Sequence, residues 1–278
     1  MQHHIFAAST STLAALVTAL CASSATAQAL DIDISTELAG FTAGRPAQLA
    51  PPPDGDRSCF AAPPTSVGGQ LVDALGWHVT SEAPLGPYTL VSFAAGANEA
   101  GGGACAISGG NIGVFSDDHL LGLIWAEGDM PFAIGGLEAL ENGAVRLRDG
   151  DVLSLPTADI ALTAAGHIAL APLPERESVC GGSMELPLRY GQPIATAREA
   201  YLAAGWEVEI TPPEARDPQS IAFAEGGVPE ADSCSGTGLN FCSFRYTNGP
   251  DLLQVVTAGE GVPPEGPTVV GQNVSCGG

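Results

Sequence analysis

The sequence has no lysine: its nine basic residues are all arginines, set against 31 aspartates and glutamates, and its formal net charge is −22. Such an excess of negative charge repels phosphate backbones and anionic lipid surfaces, so nucleic-acid and membrane partners are disfavoured. It favours a basic protein or peptide partner, or a saline habitat in which the repulsion is screened. Both explanations of the acidic composition stay open at this point.

The sequence also lacks the short motifs of well-known catalytic and cofactor sites. It contains no G-x-S-x-G elbow, no P-loop, no H-E-x-x-H pair and no EF-hand loop. No two cysteines have the C-x₂-C spacing of a zinc site. We therefore expect no cofactor and no metal ion, and we predict no catalytic residue.

The first 29 residues have the layout of a secretory signal peptide. An apolar run at 13–22 is followed by small residues that end in Ala27-Gln28-Ala29, an A-x-A cleavage pattern. The run is shorter than the roughly 20 apolar residues that span a bilayer, and no later segment is predicted to span one. We expect cleavage near Ala29/Leu30 and export to the periplasm or the medium, with a lipid anchor on Cys21 as the alternative.

Two stretches of the chain resemble each other at a distance of 129 positions, around Gly76-Trp77 and Gly205-Trp206. In the 42 positions from 74 to 115, ten residues are identical to their counterparts without a gap. This similarity predicts two pseudo-repeats in an α+β fold, each a short helix packed on a small antiparallel sheet, with β-hairpins between them. The expected organisation after the signal peptide is a flexible N-terminal arm at 30–56, module 1 at 57–130, a β-rich connecting segment at 131–178 and module 2 at 179–278.

The core of each module is predicted from its apolar spacing. In module 1, Val67, Leu71, Ala74 and Leu75 recur at helical spacing and are expected to face the sheet. In module 2, residues 220–224 are expected to be extended. The aromatic residues shared by the two copies are expected to fill the two cores: Trp77 and Phe115 in module 1, and Trp206 and Phe244 in module 2.

The mature chain has six cysteines, and an even number in an exported protein predicts three disulfides. Because Cys105 and Cys234 occupy equivalent positions in the two copies, we expect them to have equivalent partners. This predicts the pairs Cys59–Cys105 and Cys180–Cys234, which leaves Cys242–Cys276 as the third.

Two hairpin tips carry polar residues that a partner could contact. Asp117, Asp118 and His119 lie on the tip in module 1, and Asn248 and Asp251 lie on the tip in module 2. We predict that these tips offer carboxylates to a basic partner. A solvated turn, or a metal or acid–base role at the first tip, is the alternative.

The C-terminal third of the chain resembles uncharacterised secreted bacterial proteins. The residues that carry the resemblance are Gly205-Trp206, the CSGTG stretch at 234–238 and the Cys242-x-Phe244 pattern. This resemblance implies export but no activity. The tandem helix-and-sheet layout is also similar to the architecture of β-lactamase inhibitory protein, which implies a concave face for a protein partner.

From these patterns we expect an exported, disulfide-stabilised binding protein without catalytic activity, of which an inhibitor is one form. One alternative is a secreted hydrolase whose catalytic residues are dispersed along the chain. A cleft that holds a carboxylate with a raised pKa beside His78 or His119 would favour that alternative. The other is a structural or calcium-dependent surface protein.

Overall fold

The computed structural model describes residues 30–59, 61–100, 104–127, 133–236 and 238–277. The predicted signal peptide at 1–29, and the boundary between module 1 and the connecting segment, lie outside these residues. In chain order, the first elements are β1 (Ile32–Ile34), β2 (Phe41–Gly44), α1 (Val67–Ala74), β3 (His78–Leu85), β4 (Tyr88–Glu99), β5 (Cys105–Ser116) and β6 (His119–Ala126). Strands β2 to β6 form an antiparallel sheet in the order β2-β6-β5-β4-β3, which we call the first sheet.

The connecting segment forms a sheet of its own instead of merely joining two modules. Its strands are β7 (Ile134–Ala139), β8 (Val145–Asp149), β9 (Pro156–Leu162) and β10 (Ile168–Pro172). With β1, which runs parallel to β10, they make the second sheet in the order β1-β10-β9-β8-β7. The inner faces of the two sheets share one core, in which Leu90, Ile112 and Val114 pack with Val145 and Leu147.

The rest of the chain builds a separate core around Trp206. Its elements are β11 (Arg176–Val179), β12 (Met184–Pro187), α2 (Ile194–Ala203), β13 (Glu207–Val208), α3 (Pro218–Glu225), β14 (Ala231–Cys234), β15 (Cys242–Asn248), β16 (Asp251–Ala258) and β17 (Thr268–Ser275). Strands β13, β15, β16 and β17 form the C-terminal sheet in that order, and β14 also pairs with β15. No helix in the described part of the chain is long and apolar enough to cross a membrane.

The α+β class is confirmed, with three α-helices and several antiparallel sheets among the described residues. The two glycine–tryptophan pairs end their helices in the same way. Gly76 has φ +92° and Gly205 has φ +90°, a conformation that favours glycine. The next N–H groups reach back into the helix, from Trp77 to the carbonyl of Val72 (3.3 Å) and from Trp206 to that of Tyr201 (3.1 Å). Both ends are Schellman motifs.

The two modules differ in the region that follows. Strand β4 pairs with β3 and β5 in module 1, whereas in module 2 residues 218–225 are the helix α3. The expected extended segment at 220–224 is therefore wrong. Asp217 is the reason, because its side chain accepts hydrogen bonds from the N–H groups of Gln219 and Ser220 and so caps a helix. The duplication itself stays a prediction.

Three of the four predicted core aromatics are buried. Phe115, Trp206 and Phe244 are each enclosed, whereas Trp77 is only half-buried. Trp77 packs edge-on against Phe93 with ring centroids 4.9 Å apart. It therefore contacts the core with one side and leaves the other open.

The prediction of a flexible arm at 30–56 is wrong for its first half. Residues of β1 pair with β10, and residues of β2 pair with β6, so the arm supplies one strand to each sheet. Phe41 is buried in the shared core, and Ile32 and Ile34 pack against it. The alternating apolar residues of these strands are present in the sequence, but the prolines that follow them led to the prediction of a flexible arm.

One predicted disulfide is confirmed and two are wrong. Cys59 is bonded to Cys105, as expected. The other bonds are Cys180–Cys276 and Cys234–Cys242, not the predicted Cys180–Cys234 and Cys242–Cys276. Cys234 and Cys242 lie directly opposite each other on β14 and β15, so the strand register decides the pairing. Equivalence between the two modules does not decide it.

Arg146 joins the second sheet to the C-terminal part of the chain. It lies on β8, opposite Asp159 of β9, and its Nε and Nη2 donate to the two oxygens of that carboxylate at 2.9 and 3.0 Å. Its Nη1 donates at 2.7 Å to Oε2 of Glu177, on β11. Burial would lower the pKa of Arg146, but the two carboxylates outweigh it and raise the pKa.

A tryptic digest without reduction distinguishes the two disulfide patterns. Cleavage at arginine leaves Cys180 in peptide 177–189, Cys276 in peptide 246–278, and both Cys234 and Cys242 in peptide 217–245. We expect the first two peptides to be linked to each other and peptide 217–245 to run alone. The pairing predicted from the duplication would join all three peptides, and finding that product by mass spectrometry would contradict the structure.

Replacing Arg146 tests the connection between the two parts of the chain. Arg146→Met leaves two largely buried carboxylates without their cation, and we expect a loss of about 3 kcal/mol in the free energy of unfolding by urea. The control is Arg148→Met, because Arg148 pairs with Glu138 in a more exposed position. That pair should be worth less than about 1 kcal/mol. Equal losses in the two variants would contradict the assigned role of Arg146.

Candidate binding groove

Helix α1 packs on the first sheet through its small residues and turns its apolar stripe outward. Gly68, Gly69 and Val72 are buried, whereas Val67, Leu71 and Leu75 are 51, 42 and 36% exposed. A Cβ on Gly68 would lie 2.5 Å from Cγ of Phe115, so only glycine permits this close approach. The prediction that Val67, Leu71 and Leu75 face the sheet is therefore wrong, because the pair of glycines sets the rotation of the helix.

Glu82 of β3 holds the start of this helix in place. Its carboxylate accepts hydrogen bonds from the N–H groups of Thr65 (2.6 Å) and Ser66 (3.0 Å), and from both of their hydroxyl groups. The Ser66 oxygen in turn accepts from the N–H of Gly69 at 2.9 Å and caps the helix. Burial would raise the pKa of Glu82, but these hydrogen bonds outweigh it and lower the pKa below its ordinary value.

A groove of about 690 Å³ lies beside the exposed face of α1. One wall is the C-terminal half of the helix, the second is the end of the β5–β6 hairpin, and the third is the segment 45–49 that follows β2. Among the apolar residues that line these walls and the floor, the leucines and the aromatic residue are Leu49, Leu71, Leu75, Phe115, Leu120 and Leu121. We call this feature the groove.

Trp77 holds the third wall against the sheet. Its indole Nε1 donates a 2.9 Å hydrogen bond to the carbonyl of Ala50. The neighbouring Leu49 packs against the small core formed by Val72, Phe93 and Phe115. The half-exposed position of Trp77 thus has a structural reason, which is to fix the segment that borders the groove.

The predicted tip in module 1 forms part of the rim of the groove. Asp118 and His119 line it, and they expose 61 and 78% of their side chains. His119 Nδ1 lies 3.5 Å from Asp118 Oδ1. Asp117 is exposed next to them and has φ +51°, a turn conformation that aspartate tolerates. Arg45 also lines the groove, on the wall formed by segment 45–49.

The side chains of the predicted tip in module 2 form hydrogen bonds with backbone groups of the same module. Asp251 is only 9% exposed, and its Oδ1 accepts a 2.8 Å hydrogen bond from the N–H of Gly277. Asn248 donates from Nδ2 to the carbonyl of Gly205 at 3.0 Å. These residues close the end of the C-terminal sheet, and we leave them out of the candidate site.

The hydrolase alternative would be favoured by a carboxylate with a raised pKa beside His78 or His119. Burial and the neighbouring Arg57 lower the pKa of His78. The pKa of Asp149 is raised by burial, but its Oδ1 accepts hydrogen bonds from the N–H groups of Ala133 and Asp151 and stabilises a turn. The carboxylate with the raised pKa is thus engaged in a turn, and the histidine at the groove, His119, lies beside the exposed Asp118.

A possible group of metal ligands is explained by a disulfide. Cys180, Asp251 and Cys276 bring their ligand atoms within 4.8 Å of one another. The two cysteines are bonded to each other, so their sulfur atoms are not thiolates. This group is a covalent link with a carboxylate beside it.

Glu230 is the centre of a buried polar cluster in the C-terminal core. Glu230 is fully buried, and its Oε1 accepts hydrogen bonds from Arg198 Nε and from the Tyr246 hydroxyl, both at 2.8 Å. Burial and the carboxylate of Glu230 raise the pKa of Tyr246. The carboxylate is closed off from solvent and has no access to a substrate.

The chain matches no protein-family model, no curated protein and no solved structure. The resemblances to secreted bacterial proteins and to β-lactamase inhibitory protein therefore stay predictions.

The first tip lies on the surface, as predicted, whereas most of the groove was not predicted from the sequence. Leu71 and Leu75 were assigned to the core, and segment 45–49 was assigned to a flexible arm. The signal that could have revealed the groove is Gly68-Gly69. Two glycines within a short helix remove the side chains from one face and allow that face to contact a sheet.

The role of Glu82 can be tested by pH. Glu82→Gln removes the charge that accepts several hydrogen bonds, and we expect it to lower the free energy of unfolding at pH 7 by about 1 kcal/mol, a value reduced for partial exposure. The lowered pKa stabilises the fold fully above the unfolded-state pKa, and this contribution is lost as the pH falls through the folded-state pKa. The difference between the variant and the wild type in urea unfolding should therefore narrow below about pH 4.

The matched control is Glu207→Gln, since Glu207 is an exposed carboxylate of the C-terminal sheet. It should leave the stability unchanged over the same pH range. A Glu82→Gln protein as stable as the wild type at pH 7 would show that the carboxylate does not hold α1.

Proposed function

We propose that the protein is an exported binding protein without catalytic activity, and that the groove holds an apolar segment of a protein or peptide partner. The observation that carries the proposal is the outward apolar face of α1. Val67, Leu71 and Leu75 lie on one side of a helix whose other side is already packed. Large apolar side chains that line a concave surface and have polar residues at its rim are typical of interaction sites.

The chemistry of the rim supports a basic partner. Asp117 and Asp118 stand exposed at the hairpin end of the groove, in a chain with a formal net charge of −22. Rim carboxylates of this kind steer a cationic partner toward a site and select against acidic ones. A protein that inhibits its partner is one form of this function.

Export and internal duplication are part of the same proposal. Three disulfides are typical of proteins that fold in an oxidising compartment such as the periplasm or the medium. We infer that modules 1 and 2 are diverged copies, because their helices end in the same glycine–tryptophan motif and because ten residues recur at one spacing. Module 1 has Gly68 and Gly69 at the positions where module 2 has Ala197 and Arg198.

Peptide selection from a random library tests this function. Phage displaying random 12-residue peptides are selected on the immobilised protein from residue 30 onward and are counted on a variant with Leu71→Ser and Leu75→Ser. We expect enriched peptides with apolar and basic residues whose retention falls at least tenfold on this variant. Both leucines are substantially exposed, so the substitutions should leave the melting temperature nearly unchanged.

The matched control is Ile221→Ser, which removes an apolar side chain that is 43% exposed on α3 and does not line the groove. It should retain the same phage as the wild type. If the selected peptides bind the groove variant as well as the wild type, or if no peptide is enriched at all, the groove is not the binding surface.

A further inference from the structure

The exposed face of α1 has the spacing of one half of a helix–helix contact. Val67, Leu71 and Leu75 follow one another at intervals of four residues, each about 6 Å along the axis at 1.5 Å per residue. Side chains at this interval form a ridge, and ridges of this kind pack into the grooves of a second helix. Leu120 and Leu121 line the same groove on the hairpin wall, so a helix seated on α1 has further apolar side chains to contact there.

The charges around the groove indicate which charge a bound helix should carry. Asp117 and Asp118 mark one edge of it, and the last turn of α1 contains no basic residue. The C-terminal end of a helix has a partial negative charge, so this turn adds to the negative potential beside Leu75. Arg45 on the third wall is a positive group, and on the hairpin edge His119 lies beside Asp118, so Asp117 and Asp118 are the anionic groups that a cation of the partner can reach.

The same charges argue against a second copy of this chain as the occupant. Two copies would each bring a formal charge of −22 to the interface. In a symmetric dimer through α1, the acidic tips of both copies would lie at the same interface, where their like charges would destabilise the contact. A cationic partner removes this repulsion and converts it into attraction.

We propose that the groove recognises an amphipathic α-helix that carries lysine or arginine beside its apolar face. The apolar side chains of this helix pack on Leu71, Leu75 and Leu120, and a basic side chain pairs with Asp117 or Asp118. This inference rests on the proposed function and specifies the shape and charge of the partner segment. Helix-in-groove recognition through residues at i, i+3, i+4 and i+7 is a common mode of peptide binding.

Three synthetic peptides of about 15 residues test the inference. The first has leucines at i, i+3, i+4 and i+7 and lysines and alanines elsewhere. The second has glutamate in place of each lysine, and the third has the composition of the first in a scrambled order that gives no apolar face. Binding is measured by calorimetry at 0.15 M salt, with the wild type and with two variants.

We expect the first peptide to bind at least tenfold more tightly than the other two. The variant with Leu71→Ser and Leu75→Ser should weaken its binding at least tenfold, and the variant with Asp117→Asn and Asp118→Asn by about three- to tenfold. The loss in the second variant should shrink at 1 M salt, because salt screens exposed charges. As a matched control, Glu207→Gln removes one exposed carboxylate far along the chain and should change the affinity by less than twofold.

The outcomes separate this inference from the proposed function. If the scrambled peptide binds as tightly as the first peptide, the partner segment is not a helix. The same conclusion follows if the variant with Leu71→Ser and Leu75→Ser binds the first peptide as tightly as the wild type does. If the glutamate peptide binds more tightly than the lysine peptide, the proposal of a cationic partner is wrong. If the groove binds the dye 1-anilinonaphthalene-8-sulfonate but none of the peptides, it is a site for a small apolar ligand. If the phage selection succeeds where all three peptides fail, the binding function stands and the helical partner is wrong.

Discussion

The first sheet is buried on both faces, and the arrangement of the N-terminal two thirds of the chain depends on this constraint. Along β4, Leu90 faces the second sheet, whereas Val91 and Phe93 face α1, so consecutive side chains all need cover. The second sheet provides that cover on one face. On the other face, α1 and segment 45–49 provide it together, and Trp77 fixes the segment by its hydrogen bond to Ala50.

The groove exists because α1 and segment 45–49 cover only part of this face of the first sheet. Helix α1 has eight residues, about 12 Å at 1.5 Å per residue, and lies close to the sheet because Gly68 has no side chain to hold it off. Close packing of the glycine face leaves the larger side chains Leu71 and Leu75 on the outside. The space between them and the β5–β6 hairpin remains open, and there the fold has an apolar surface that it does not bury itself.

The sequence predicted the parts of the fold that depend on local chemistry. The short helix of each module forms as expected, Cys59 pairs with Cys105, and Asp118 and His119 lie on an exposed tip. It did not predict features that depend on contacts between distant residues. The pairing of Cys234 with Cys242 follows from the register of two strands, and the rotation of α1 follows from Phe115, more than forty residues away. An apolar stripe normally faces the core, so periodicity alone gave the wrong face of α1.

The groove exists only if α1 turns Leu71 and Leu75 to solvent and Val72 to the sheet. Methyl NMR of the protein in the presence of a soluble paramagnetic agent measures this directly, because the agent broadens the signals of methyl groups it can approach. We expect strong broadening for Val67, Leu71 and Leu75 and protection for Val72, which is fully buried. Protection of Val67 and Leu71 together with broadening of Val72 would show the helix in the opposite rotation and would remove the basis for the groove.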